Sequence, residues 1–184
     1  MEEKIKATIM DARKIKRAVQ RMGTEITEHN KNLKNLVIVG IRTRGVYLGK
    51  RISMLIKGSD ETDIPVGVLD ITLYRDDFSE MEAQHMAKKT EINFSVAKKD
   101  VILVDDVLFT GRTIRAAMDS LIDLGRPKTI QLLVLIDRGH RELPIRADYV
   151  GKFLPTSKRE IVLVNLKEID GKDEVLITEP VRPE

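Results

Sequence analysis

The sequence predicts an α/β fold, a mostly parallel sheet flanked by helices, with residues 1–184 forming a single domain. Three observations predict it. Nearly continuous apolar runs at 36–39, 101–104 and 130–136 lack alternation and read as strands buried on both faces. Helical patterns separate them, so the order is strand, helix, strand, loop, strand, helix, strand. No internal repeat or low-complexity tract breaks that rhythm.

The elements follow in order. Residues 11–29 read as an amphipathic helix, because Ile15, Val19, Met22 and Ile26 recur at helical spacing. Arg13, Lys14, Lys16, Arg17 and Arg21 make its other face basic over the first half. The run at 36–39 is broken by residues 40–45, and Val46, Ile52, Leu55 and Ile56 predict the next helix. Asp63-Ile64-Pro65 opens a second strand through Val66, Val68 and Ile71 that ends near Tyr74. From Arg75 to Lys99 the chain is polar and without a sustained period, as in functional lids or disordered insertions. After the strand at 101–104 come Asp105-Asp106, a glycine-containing turn and a helix over about 113–124, stopped by Gly125 and Pro127. Beyond the strand at 130–136, further strands are read at 147–151, 160–166 and 174–177.

Composition narrows the function classes. Apolar residues are 42% and charged residues 33%, which supports a core and argues against wholesale disorder. No run approaches the ~18 consecutive apolar residues of a membrane span. The charged start MEEKIKATIM is unlike a secretory signal. With no cysteine there is no disulfide framework, thiol nucleophile or thiolate metal site. His29, His85 and His140 lack metal-ligand spacing. A cytoplasmic protein without membrane contact is expected.

The segment VILVDDVLFTGRT, residues 101–113, carries the most chemistry. Open α/β sheets bind ligands at the carboxyl ends of their strands, where Asp105 and Asp106 fall. Thr110, Gly111, Arg112 and Thr113 then enter a helix whose N-terminus suits a phosphate. Two carboxylates beside an anion site make sense if they hold a cis-diol or a hydrated Mg2+ bridging to it. An acidic strand end before a capped helix would give the same pattern, and Rossmann-type turns also cluster acids and glycines.

The same segment resembles, at every class position, the phosphoribosyl pyrophosphate (PRPP) signature of the type I phosphoribosyltransferases. Residues 40–45, GIRTRG, resemble that family's pyrophosphate loop, and DITLYRDD from Asp70 resembles the opening of its flap. DRGHRELPIRADY from Asp137 resembles the hood-side segment of one subfamily, the bifunctional pyrimidine operon attenuation regulators and uracil phosphoribosyltransferases. The resemblance implies the type I fold with a small hood, about 138–165 plus N-terminal contributions, and a flexible flap, about 75–99. It implies that uracil and PRPP, with Mg2+ as cofactor near Asp105 and Asp106, give UMP and pyrophosphate. Asp105 and Asp106 would hold the ribose hydroxyls, while Val107, Leu108, Phe109, Thr110, Gly111, Arg112 and Thr113 would cradle the 5-phosphate. Thr43 and Arg44 would contact pyrophosphate, with Arg75 as the flap cation. Arg138 and Val162 would border the base. Purine-salvage relatives place a third acid where Phe109 stands, so Phe109 argues against a purine substrate. A purely catalytic uracil, purine or orotate enzyme is the alternative.

The net charge of +3 conceals an uneven distribution. Residues 138–159 and 11–22 each carry +4, and the tail from Leu166 carries −3. If the basic segments adjoin, in the fold or across a homodimer or larger homo-oligomer, they form a surface for a phosphate backbone. The resemblance implies binding of pyrimidine-operon leader RNA under control of UMP or UTP, with Arg141, Arg146 and Lys152 as RNA contacts.

Overall fold

The computed structural model describes residues 3–74 and 90–180. Strands β2 (Leu36–Ile41), β3 (Val66–Leu69), β4 (Asp100–Leu108), β5 (Thr129–Asp137) and β6 (Tyr149–Phe153) form a parallel sheet in the order β3-β2-β4-β5-β6. A second, antiparallel sheet is made of β1 (Glu3–Asp11), β7 (Ile161–Asn165) and β8 (Glu174–Pro180), in the order β1-β8-β7.

The central strands are apolar throughout because both faces are covered. Ile38, Ile102, Val104 and Leu133 pack with residues of α1 (Ala12–His29) and α2 (Arg44–Asp60). Their neighbours Val37, Val39, Val101, Leu103 and Val134 point the other way and pack with Ile114, Ala117 and Leu121 of α3 (Arg112–Leu124). In α1 the residues Ile15, Val19, Met22 and Ile26 are buried, as their spacing predicts. Asp11 caps that helix by accepting from the Lys14 N–H at 2.8 Å, which holds its carboxyl below the usual range. Among the described residues, no helix is long and apolar enough to cross a membrane.

Three expectations change. The strand expected to reach Tyr74 stops at Leu69. The Asp70 carboxylate there accepts from the Thr72 N–H at 2.9 Å and hydroxyl at 2.6 Å, and turns residues 72–74 into a 3-10 coil. The last part of the expected flap is packed: Glu91 exchanges backbone hydrogen bonds with Val68, and Val96 is buried. Residues 75–89, including Arg75 and His85, lie outside the described residues. Finally, β1 is an unanticipated strand.

The second sheet is fastened to α2 by charge. Through α4 (Lys167–Asp170), the turn between β7 and β8 presents Glu168 and, just beyond it, Asp173 to one guanidinium. Arg51 donates to Glu168 at 2.9 and 2.6 Å and to Asp173 at 3.0 and 2.7 Å. The Arg51 hydrogen bonds hold the Glu168 carboxyl below its usual range. Burial pushes Asp173 up, but its bonds from Arg51 and the Lys167 N–H outweigh burial and leave it low. Both values are depressed by folding, so the contribution is complete above the ordinary carboxylate range, about pH 4, and is lost as pH falls through the depressed values. Arg51→Met should therefore lower the melting temperature at neutral pH. The gap from the unaltered protein should close in melts taken progressively below about pH 4.

Candidate phosphoribosyl-transfer site

The chain runs from β2 through α2 to β3 on one side, then returns to β4 on the other side of β2. Ligands bind at such a switch point, outside the carboxyl ends of the strands. The loops leaving β2 and β4 therefore lie side by side there, and they are the two motif segments.

Backbone contact joins these loops. A Cβ on Gly45 would fall inside the Val104 carbonyl and within 3.2 Å of the Asp105 Cα. A Cβ on Gly40 would strike the Val46 backbone. The Arg42–Thr43 peptide between them is cis. Thr43 is exposed, and Arg44 opens α2 at the rim.

Asp105 is 7% exposed at the end of β4. Its carboxylate accepts from the Asp106 N–H at 2.9 Å, and that of Asp106 accepts from the Val107 N–H at 3.0 Å. Burial pushes the Asp106 carboxyl up, while Asp105 and the positive charge of Arg44 pull it back. Two adjacent, desolvated acids call for a cation or hydroxyl donors. The oxygen donor set fits Mg2+, which typically takes one or two carboxylates and completes its shell with water and substrate phosphates. Among the described residues no group of three or more His, Cys, Asp or Glu is placed to hold a metal ion by itself.

Beyond the buried Leu108, the loop 109–111 bends into α3 through Gly111 at φ 94°, a conformation that favours glycine. That glycine caps α3 without a side chain, the Arg112 N–H donates to the Thr110 hydroxyl at 3.4 Å, and the helix N-terminus suits a phosphate. Thr110, Thr113 and Val107 are half-buried around it and Arg112 is exposed, with its Nε donating to Glu142 at 2.8 Å. The segment after β5 braces this loop from behind. The Arg138 N–H donates to the Leu108 carbonyl at 3.1 Å, and the Glu142 and Leu143 N–H groups donate to that of Thr110 at 2.9 and 3.2 Å.

Arg138 and Phe109 are brought together, with the guanidinium 4.1 Å from the ring centroid and the His140 ring edge-on at 5.9 Å. Arg138 is 6% exposed and donates to the Thr156 hydroxyl and the Ser157 and Glu160 carbonyls. Burial pulls its pKa down. The geometry thus gives Arg138 a hold on Phe109 and on residues 156–160. Val162 lies on β7, which touches β4.

The basic residues divide. Arg141 is a correction: expected to face RNA, it is turned inward. It donates to the Ile145, Phe109 and Gly139 carbonyls at 2.9, 2.9 and 3.2 Å and pairs with Asp137. A loop that crosses behind the phosphate cradle needs donors for its carbonyls, and Arg141 supplies them. Arg146 and Lys152 are exposed. Lys152 joins Lys14, Arg17 and Arg21 of α1 around a cleft of about 370 Å3. The two basic segments of the sequence do adjoin through Lys152 and α1. Sequence reasoning missed Arg51, Glu168, Asp170 and Asp173; the only trace of them was a negative tail with no assigned partner.

A profile described as "Phosphoribosyl transferase domain" matches residues 7–169. The chain belongs to the phosphoribosyl transferase family. It is 59% identical over 174 residues to the "Bifunctional protein PyrR" of Pelotomaculum thermopropionicum, covering 95% of this chain and 96% of that one. The protein of the same name from Clostridioides difficile is 56% identical, with 95% and 98% covered. Among solved structures, a hypoxanthine-guanine phosphoribosyltransferase from Bacillus anthracis superposes with a TM-score of 0.71 over 97% of this chain and 100% of that one. At 17% identity that likeness speaks for the fold alone. The type I phosphoribosyltransferase fold expected from the signature is thereby established.

Gly45→Ala should destabilise the protein by about 1–3 kcal/mol through overpacking of the two loops. Gly58→Ala, with open space around it, should not. Urea melts compare the two.

Proposed function

We propose that the chain is a uracil phosphoribosyltransferase that also binds pyrimidine-operon leader RNA and attenuates transcription in response to uridine nucleotides. The observation that carries the catalytic half is the meeting of Asp105, Asp106, Arg44 and the α3 N-terminus at the sheet's switch point. The high identity to bifunctional PyrR proteins supports the pairing of two roles.

In this reading the N–H groups of residues 110–113 hold the 5-phosphate, and Asp105 and Asp106 orient the ribose hydroxyls. Uracil N1 bonds to ribose C1 as the bond from C1 to the pyrophosphate oxygen breaks; the leaving group takes the electron pair, and the N1 proton is released to water. Asp105 and Asp106 would hold Mg2+ brought with PRPP, which would supply charge neutralisation for the pyrophosphate. Arg44 and the Thr43 region meet the negative charge that grows on the leaving group. Positioning and electrostatics carry the reaction, because the oxocarbenium-like transition state needs no covalent help. Phe109, fixed by Arg138, packs beside the base with Val162. Arg75 is the flap cation proposed to reach the pyrophosphate.

Purified protein supplied with PRPP, Mg2+ and uracil should form UMP. Asp105→Asn with Asp106→Asn should lower the rate by about 100-fold or more. Competition by hypoxanthine, guanine or orotate, rather than uracil, would favour the purely catalytic alternative.

For RNA, the cleft lined by Lys14, Arg17, Arg21 and Lys152, with Arg146 nearby in sequence, is the proposed phosphate-binding surface. A homodimer or larger assembly would multiply that surface. Uridine nucleotides should tighten RNA binding, and RNA should tighten theirs by the same factor. Reversing charge at Arg17 and Lys152 should weaken binding of the leader hairpin in filter assays. It should also reduce the slope of log affinity against log salt by about two.

A further inference from the structure

Among the described residues, Arg44 is held by Asp170. Its Nη2 donates to both oxygens of Asp170, at 3.0 and 3.3 Å, while its Nε is buried without a hydrogen-bond acceptor. Asp170 belongs to α4, in the turn between β7 and β8, far along the chain from the loop that Arg44 ends. Its carboxylate is itself fixed, because Oδ2 accepts from the Leu166 N–H at 2.8 Å. The Asp170 N–H also donates back to the Leu166 carbonyl at 2.7 Å. On the other side, the charge of Arg44 acts on Asp106. The guanidinium therefore stands between a carboxylate of the second sheet and the acids at the end of β4.

An exposed surface arginine would satisfy its Nε with water. A buried Nε with no acceptor has lost water without a replacement, which costs free energy unless something else completes it. The remainder of the Arg44 side chain is open, at 35% exposure, and a guanidinium held in place suits an oxyanion with several oxygens. Asp170 holds Nη2 and leaves Nη1, which makes no hydrogen bond among the described residues, for such an anion.

We infer that Asp170 is a positioning residue for pyrophosphate: it orients the Arg44 guanidinium so that its open Nη1 meets the leaving group. This rests on the reading that Arg44 contacts pyrophosphate. It goes further in making the turn of the second sheet part of the leaving-group site. Because β7 carries Val162, the wall proposed to border the base and the arginine proposed to meet the pyrophosphate are tied to one turn.

Asp170→Asn separates this role from a merely structural one. The amide oxygen can still accept from the Leu166 N–H, so the turn is kept. The amide nitrogen then takes the place facing Arg44 and sets a donor against a donor. The full chain should keep its melting temperature and its affinity for UMP, which has no pyrophosphate. The KM for PRPP and the inhibition constant for inorganic pyrophosphate should each rise about tenfold, the scale of one charge-assisted hydrogen bond. Asp170→Asn in an Arg44→Ala background should cause no further loss, because the two residues act as a unit.

Normal PRPP and pyrophosphate constants in Asp170→Asn, with Arg44→Ala impaired, would overturn the role of Asp170 and leave that of Arg44 standing. Losses that simply add in the double variant would also overturn it, because they would mark independent structural effects. Arg44→Ala with unchanged PRPP and pyrophosphate constants would remove the underlying reading together with this one.

Discussion

The close approach of two backbones at the switch point governs the rest of the site. Gly45 lies against the Val104 carbonyl, with no room for a side chain between the loop that leaves β2 and the end of β4. This contact sets the distance from Arg44 to Asp106, because Arg44 is the residue before that glycine and Asp106 is two beyond that carbonyl. It also brings the first turn of α2 and the first turn of α3 to the same edge of the sheet. Electrostatics then acts over short range in a site screened from water, where a positive group can hold two crowded acids.

Support for this edge comes from behind. The segment after β5 gives backbone donors to the Leu108 and Thr110 carbonyls, and Arg141 gives side-chain donors to Phe109 and Gly139. Carbonyls that a tight loop would leave unsatisfied are thereby paired. Arg138 plays the same part for residues 156–160 while it covers one face of Phe109. Two arginines in a segment with a basic sum are thus spent on architecture. The positive charge offered to solvent comes from Arg146, Lys152, Lys158, Arg159 and the exposed face of α1.

The central sheet was legible because its strands are covered on both faces, and residues such as Val101 to Val104 can then be nothing but apolar. The first helix was legible for the complementary reason: Ile15, Val19, Met22 and Ile26 meet the core along a single stripe. Asp105, Asp106 and Gly111 stood out because a strand end, a charge pair and a left-handed glycine leave a local pattern. What was not legible depends on partners far along the chain. The strand at the N-terminus is mostly exposed, with Ile5 at 60%, so it carries no burial rhythm. The direction of Arg141 is set by carbonyls of another loop. The acids of the tail became meaningful only opposite Arg44 and Arg51. A sum of charges records how many groups there are and says nothing of which ones face each other.

The pairing of β1 with β8 joins the first described residues to the last, Glu3 opposite Pro180. Lys6 of β1 and Glu179 of β8, which bond across this pairing, are 173 residues apart. The central sheet, whose neighbouring strands are closer in sequence, can assemble while β1 waits without a mate. Closing so long a loop has an entropic cost that its contacts recover only after the rest has condensed. The second sheet is therefore the part that closes last, after the central sheet that carries Asp105 and Asp106.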